Sequence, residues 1–223
     1  MQLKFSAVFF DCDGVLVDSE HISSFVLREM LQELGLSMTQ LEVQIHFNGK
    51  TMKDELLWIS NQVGKALPKN WLLEFWHRRN AMLNLHLEPI PNANECVKII
   101  HTNYAGLIAC TSGGDRKKIE LQLTKVGLLQ FFEGKVFSGY EVARSKPAPD
   151  VYLKAASALR VDPKKCAVIE DSVTGVIAGV AAGAKVFGYI NPQDKFSLTS
   201  AKDLLEVGAC SIFTDMIKLP DLL

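Results

Sequence analysis

An excess of either charge is missing from this chain. Its 24 Lys and Arg against 25 Asp and Glu leave a formal net charge of -1, without the basic excess that a nucleic-acid surface carries. Nucleic acid is therefore not an expected partner. Cysteine is sparse: Cys12, Cys96, Cys110, Cys166 and Cys210 are odd in number and form no C-x-x-C. That excludes a disulfide framework, suggests no zinc site, and suits buried thiols in a reducing compartment. Long apolar runs are absent too, and nothing approaches the ~20 residues a membrane helix needs. The N-terminal stretch has one Lys before Asp11 and lacks the apolar length and small-residue cleavage pattern of a signal peptide. A cytoplasmic protein with no membrane partner is expected. There is no internal repeat and no low-complexity tract. At 223 residues the chain can bury roughly 70% of its unfolded surface and needs no disulfide to fold.

The rest of the sequence is organised around Phe5 to Ser19, Phe-Ser-Ala-Val-Phe-Phe-Asp-Cys-Asp-Gly-Val-Leu-Val-Asp-Ser. Ala7, Val8, Phe9 and Phe10 have the composition of a central parallel strand covered on both faces. Asp11 and Asp13 follow at a spacing that, on a strand-like path, points both carboxylates to one side, and Gly14 lets the backbone turn. Two carboxylates converging at a strand end need a counter-charge, and a divalent cation is the natural one. Asp-x-Asp-Gly also occurs in ordinary turns, where Asp accepts local backbone bonds. A calcium loop is a poor match, because Gly14 comes one residue early and no Glu lies at the required spacing.

After this strand the pattern is all helical. Ser19 can cap a helix over 20–34, with Phe25, Leu27, Met30, Leu31 and Leu34 at core spacing. Further helices are predicted over 39–46, from Thr51 to about Val63, and over 71–85. Phe47-Asn48-Gly49-Lys50 is a loop. Trp58, Trp71 and Trp76 are assigned to the core of this block rather than to a partner surface. From Pro89 and Pro91 onward, strands at 105–110, 135–138, 166–169, 185–189 and 211–213 alternate with helices, which implies a parallel sheet with right-handed crossovers. The expected division is an α/β core of residues 1–15 and 90–223 with a helical cap of residues 16–89. A lid over the crevice is the simplest geometry for such an insertion.

The later strands end in polar residues. Ala105 to Cys110 runs into Thr111-Ser112-Gly113-Gly114, either an anion site at a helix N-terminus or a helix cap. Lys146 sits in the proline-stiffened Arg144-Ser145-Lys146-Pro147-Ala148-Pro149 loop. Cys166 to Ile169 ends in Glu170-Asp171-Ser172, acids that could complement a helix dipole or complete the oxygen-rich shell that Mg2+ takes. Acids, hydroxyls, a lysine and acids in turn describe a site for phosphoryl transfer.

In these four motifs, Asp11-Cys12-Asp13-Gly14-Val15, Thr111 closing a strand, Lys146 before Pro147, and Glu170-Asp171, the chain resembles a hydrolase of the haloacid dehalogenase superfamily. The likeness is to the subgroup with a helical cap after the first strand, close to β-phosphoglucomutases and related phosphatases, and it covers essentially the whole chain. It implies a Rossmann-like, doubly wound parallel sheet with an inserted all-helical cap. It makes Asp11 the nucleophile that forms an aspartyl-phosphate. Asp13 becomes the acid that protonates the leaving oxygen and then activates water. Thr111, the Ser112 backbone N–H and Lys146 would hold the phosphoryl oxygens. Mg2+ would be bound by Asp11, the Asp13 carbonyl and Asp171, with Glu170 acting largely through water. Cys12 faces the other way, into the core.

The same resemblance narrows the reaction. The carbon-attacking dehalogenase branch lacks the second acid, so Asp13 argues for phosphoryl chemistry. Phosphosugar mutases carry a cap His where this chain has Ser23, with His21 out of place, so hydrolysis is favoured over transfer. Asp18-Ser19-Glu20 resembles the cap entry of small-molecule phosphatases. Asn48, Gly49 and Lys50 are expected in the cap loop, where Lys50 is either a substrate contact or a solvated loop charge. The expectation is a Mg2+-dependent phosphatase acting on a small phosphorylated metabolite, a sugar phosphate or phosphorylated sugar acid. A monomer is expected, with a dimer as the alternative. The other readings are a phosphosugar mutase and a non-catalytic binding protein on the same scaffold.

Overall fold

The structure, a computed structural model, describes residues 3–47, 52–194 and 198–223. Cα packing divides the chain into two compact units: Met1–Asp18 with Glu88–Leu223, and Ser19–Leu87.

The first unit is built on β1 (Ala7–Phe10), whose four apolar residues are all buried, as a strand covered on both faces requires. The second unit is helical: α1 (Glu20–Glu33), α2 (Gln40–Phe47), α3 (Met52–Val63) and α4 (Trp71–His86). Its core is Val26, Leu27, Met30, Leu31, Val43, Phe47, Ile59, Trp71 and Phe75, with Trp58 and Trp76 packed against it. The buried stripe of α1 starts at Ile22 and Val26 and leaves Phe25 exposed. The expected core place of Phe25 is thus corrected by one helical step. Ser19 precedes α1 without a side-chain cap bond, whereas Thr39 and Glu42 exchange the bonds that open α2.

The first unit resumes with α5 (Ala93–Asn103), β2 (Ile108–Ser112), α6 (Arg116–Lys125), β3 (Val136–Ser138), α7 (Asp150–Ala158), β4 (Cys166–Glu170), α8 (Val173–Ala181), β5 (Lys185–Tyr189), α9 (Ala201–Glu206), β6 (Ser211–Phe213) and α10 (Leu219–Leu222). All strand pairs are parallel, in the order β3-β2-β1-β4-β5-β6. This is the doubly wound, Rossmann-like α/β architecture. The order reverses at β1, between β2 and β4, and in open α/β sheets ligands bind outside the carboxyl ends of the strands at such a reversal. Phe9, Val168, Val176, Val186, Tyr152 and Ala155 belong to the cluster that packs the sheet against its helices. Gly179 lets α8 lie close on β4 and β5, since a Cβ there would press on Val186 and Val168. No helix among the described residues is long and apolar enough to cross a membrane.

Candidate active site

Asp11 follows β1 at the reversal, and its backbone N–H donates to the Ile169 carbonyl of β4 at 3.0 Å. The carboxyl ends of β1 and β4 are thereby tied side by side. Lys146 reaches in from the loop before α7, and its Nζ donates to Asp11 Oδ1 at 2.5 Å, to Glu170 Oε1 at 2.6 Å and to the Thr111 carbonyl at 3.0 Å. All three ammonium hydrogens therefore have acceptors. Burial works against the charge of Lys146, but the Asp11 and Glu170 carboxylates outweigh it and hold its pKa well above the ordinary value. Burial also pushes the Asp11 carboxyl up to about 8, with Glu170 and Asp13 adding to the rise and Lys146 opposing it.

Glu170, the last residue of β4, is fully buried. Tyr152 Oη donates to its Oε1 at 2.6 Å, and the Ser172 hydroxyl donates to Oε2 at 3.0 Å. Ser172 Oγ in turn accepts from Gly175 N, capping α8. Gly175 is required here because a Cβ would overlap the Glu170 carboxyl. The Lys146 ammonium also lies 5.1 Å from the centroid of the Tyr152 ring, a cation–π contact. Glu170 and Tyr152 thus fix where the ammonium sits.

Asp13 is met from the other side. Lys118 Nζ and Gln122 Nε2, one turn apart on α6, each donate to Asp13 Oδ1 at 2.8 Å. Gln122 Oε1 accepts from the Cys12 thiol at 3.6 Å. Cys12 is buried, and the neighbouring Cys110 together with burial raises its pKa well above the ordinary value. It stays a thiol.

The two hydroxyl residues do different things. Thr111 Oγ1 donates to the Phe10 carbonyl at 3.2 Å, and Ser112 Oγ accepts from Gly114 N at 3.0 Å. Neither caps the following helix: Asp115 does, accepting from Lys118 N. That leaves Thr111 and Ser112 at the carboxyl end of β2, followed by Gly113 and Gly114.

Asp11, Glu170 and Asp171 bring carboxylate oxygens within 4.8 Å of one another. An all-oxygen set of this size suits a hard cation such as Mg2+. Gly14, at φ 75°, makes room for it: a Cβ there would overlap the Asp171 carboxylate. The donor set therefore fits the cation, with Lys146 holding both Asp11 and Glu170 in place and Tyr152 and Ser172 fixing Glu170 further.

The structure thus brings together Asp11, Asp13, Thr111, Ser112, Lys146, Glu170 and Asp171. Ser19 and Glu20 belong to the helical unit, Ser19 buried and Glu20 the exposed first residue of α1. Asn48, Gly49 and Lys50 lie outside the described residues. Lys118, Gln122 and Tyr152 were not singled out by the sequence reading. A signal for the first two existed: with Ile119 and Leu123 they form the buried face of α6, and a Lys and a Gln on an apolar face need partners.

A family model described as haloacid dehalogenase-like hydrolase matches residues 5–183. The 6-phosphogluconate phosphatase of Escherichia coli (strain K12) is 31% identical over 220 residues, covering 98% of this chain and 95% of the relative. A phosphorylated carbohydrates phosphatase of Thermotoga maritima is 29% identical, covering 92% and 93%. Among solved structures, a HAD family hydrolase from Deinococcus radiodurans, with bound phosphate and sodium, is 34% identical. It superposes with a TM-score of 0.77 over 98% of this chain and 94% of its own.

Proposed function

The chain belongs to the haloacid dehalogenase-like hydrolase family, and from that premise we propose that it is a Mg2+-dependent phosphatase of small phosphorylated sugars or sugar acids. The observation that carries this reading is the Lys146 ammonium, 2.5 Å from Asp11 and 2.6 Å from Glu170 beside a carboxylate set that fits a cation.

In this mechanism the Asp11 carboxylate attacks phosphorus in line with the ester oxygen. The phosphorus–oxygen bond of the ester breaks, and the leaving oxygen takes a proton from Asp13. An aspartyl-phosphate remains, and Asp13, now a carboxylate, removes a proton from the water that hydrolyses it. Covalent catalysis splits one hard step into two easier ones. Lys146 and the Ser112 backbone N–H, with Thr111 beside them at the end of β2, bind the phosphoryl oxygens as charge shifts between them. Asp11, Asp171 and the main-chain carbonyl of Asp13 would hold the cation. When bound, Mg2+ supplies charge that favours ionised Asp11 and neutralises the phosphoryl oxygens. Glu170 acts by holding Lys146.

The substrate class is supported by likeness to the E. coli 6-phosphogluconate phosphatase along nearly the full length of both chains. The test is phosphate release from a panel of sugar phosphates, sugar-acid phosphates and nucleotides, with Mg2+ and with chelator. The expected result is release that needs Mg2+ and is fastest from a sugar or sugar-acid phosphate. Conversion to an isomeric phosphate with little free phosphate would replace hydrolysis by transfer.

A further inference from the structure

The reaction just described leaves Lys118 and Gln122 without a role, yet both spend their donors on the same oxygen of Asp13. Lys118 is only 8% exposed and Gln122 is fully buried. A lysine this deep costs free energy unless it is paired, and a Met at the same place would fill the face of α6 without that cost. Their position is fixed by the helix that carries them. Asp115 caps its first turn through Lys118 N, Ile119 and Leu123 anchor the same face in the core, and the Cys12 thiol occupies Gln122 Oε1, turning the amide NH2 toward Asp13.

We propose that Lys118 and Gln122 are positioning residues for Asp13. They orient its carboxyl and stabilise the negative charge that develops on it as its proton passes to the leaving oxygen. The proposal rests on the phosphatase reading and assigns these two side chains to its first step. In that step the ester bond to phosphorus breaks and its electron pair goes to the leaving oxygen, which takes the Asp13 proton. A bond forms between an Asp11 carboxylate oxygen and phosphorus. Asp13 is left as a carboxylate facing an ammonium and an amide. Donors placed where charge develops lower the barrier more than they tighten substrate binding. The benefit grows with the basicity of the leaving oxygen, because a stable leaving anion needs no proton.

That dependence separates orientation of Asp13 from two other roles, phosphoryl binding and plain packing, which would affect all esters alike. The experiment compares kcat/KM, which covers the steps through the first phosphoryl transfer, for two substrates. One is the sugar phosphate that the native protein hydrolyses fastest, with a basic alkoxide leaving group. The other is p-nitrophenyl phosphate, with an acidic one. Lys118→Met and Gln122→Met are each expected to lower kcat/KM for the sugar phosphate on the order of 10- to 100-fold, part of the 10²–10⁴ that acid–base catalysis supplies. The p-nitrophenyl value should stay within about threefold. Lys118→Arg, which keeps a charged donor, should recover part of the sugar-phosphate loss. Equal losses on both substrates, or no loss on either, would overturn the proposal while leaving the phosphatase standing. A native protein that releases phosphate from neither substrate would instead remove the reading beneath it. Gln122→Met makes the same comparison should Lys118→Met fail to fold.

Discussion

Lys146 is the residue on which the site balances. Its side chain is almost wholly buried between Asp11 and Glu170, so removing its charge leaves the buried Glu170 carboxylate without its cation, beside a protonated Asp11. Breaking a buried pair in this way costs about 3–5 kcal/mol, and Lys146→Met should lose stability on that order in urea titrations, along with at least ~100-fold in kcat/KM. Adding Glu170→Gln to it removes the stranded charge and should restore part of the stability but none of the activity, a coupling that a double-mutant cycle measures. Additive stability losses would mean that the ammonium and Glu170 do not act as a unit. Asp11, Asp13, Lys146, Glu170 and Asp171 were legible in the sequence because each sits beside an apolar strand or a proline loop that marks its place. Tyr152, which donates to Glu170 from α7, was not. An aromatic on an apolar helix face looks the same whether or not its hydroxyl has a partner.

At the scale of elements, α6 links two parts of the site. Three residues separate it from the end of β2, the last of them its cap Asp115, and it carries Lys118 and Gln122 to Asp13. Asp115→Ala removes its cap and should cost about 1 kcal/mol of stability, read as a lower denaturation midpoint with unchanged slope. A cost near zero would show that packing of Ile119 and Leu123 alone holds the first turn. The sequence left the Thr111–Gly114 stretch as either an anion site or the cap of this helix, and the structure gives the cap to Asp115 instead. The loop path decides, since Ser112 Oγ is taken up by Gly114 N. The start of β2 was misplaced for a related reason. Ala105 and Gly106 have the apolar and small side chains of a strand entrance, but they take φ of 49° and 77° and close α5, so the strand runs Ile108–Ser112. Backbone handedness at a helix end does not show in an apolar pattern.

For the molecule as a whole, the alternation of strands and helices was legible because parallel strands are buried on both faces and read as continuous apolar runs. The charge balance of the site shows only in three dimensions, and it makes the protein's stability depend on pH. Asp11 moves from an ordinary 3.8 to about 8. Between those values the native chain keeps a proton that the unfolded chain has lost. The unfolded state then binds fewer protons, and stability falls as pH rises. The contribution is complete below about pH 4 and gone above about pH 8. Melting in chelator should therefore drop between pH 5 and pH 8. Mg2+ should displace close to one proton at pH 7, seen as a buffer-dependent heat of binding. Stability that rises over this range, with no proton released, would contradict the charge balance described here. The most direct test of covalent phosphoryl transfer is rapid acid quench during turnover of the fastest-hydrolysed sugar phosphate, followed by mass mapping of the phosphoryl group. The account predicts an acid-stable, base-labile phosphoryl group on the peptide containing Asp11, absent in Asp11→Asn, whose turnover falls by orders of magnitude. Turnover that survives Asp11→Asn, or a phosphoryl group on another residue, would contradict it.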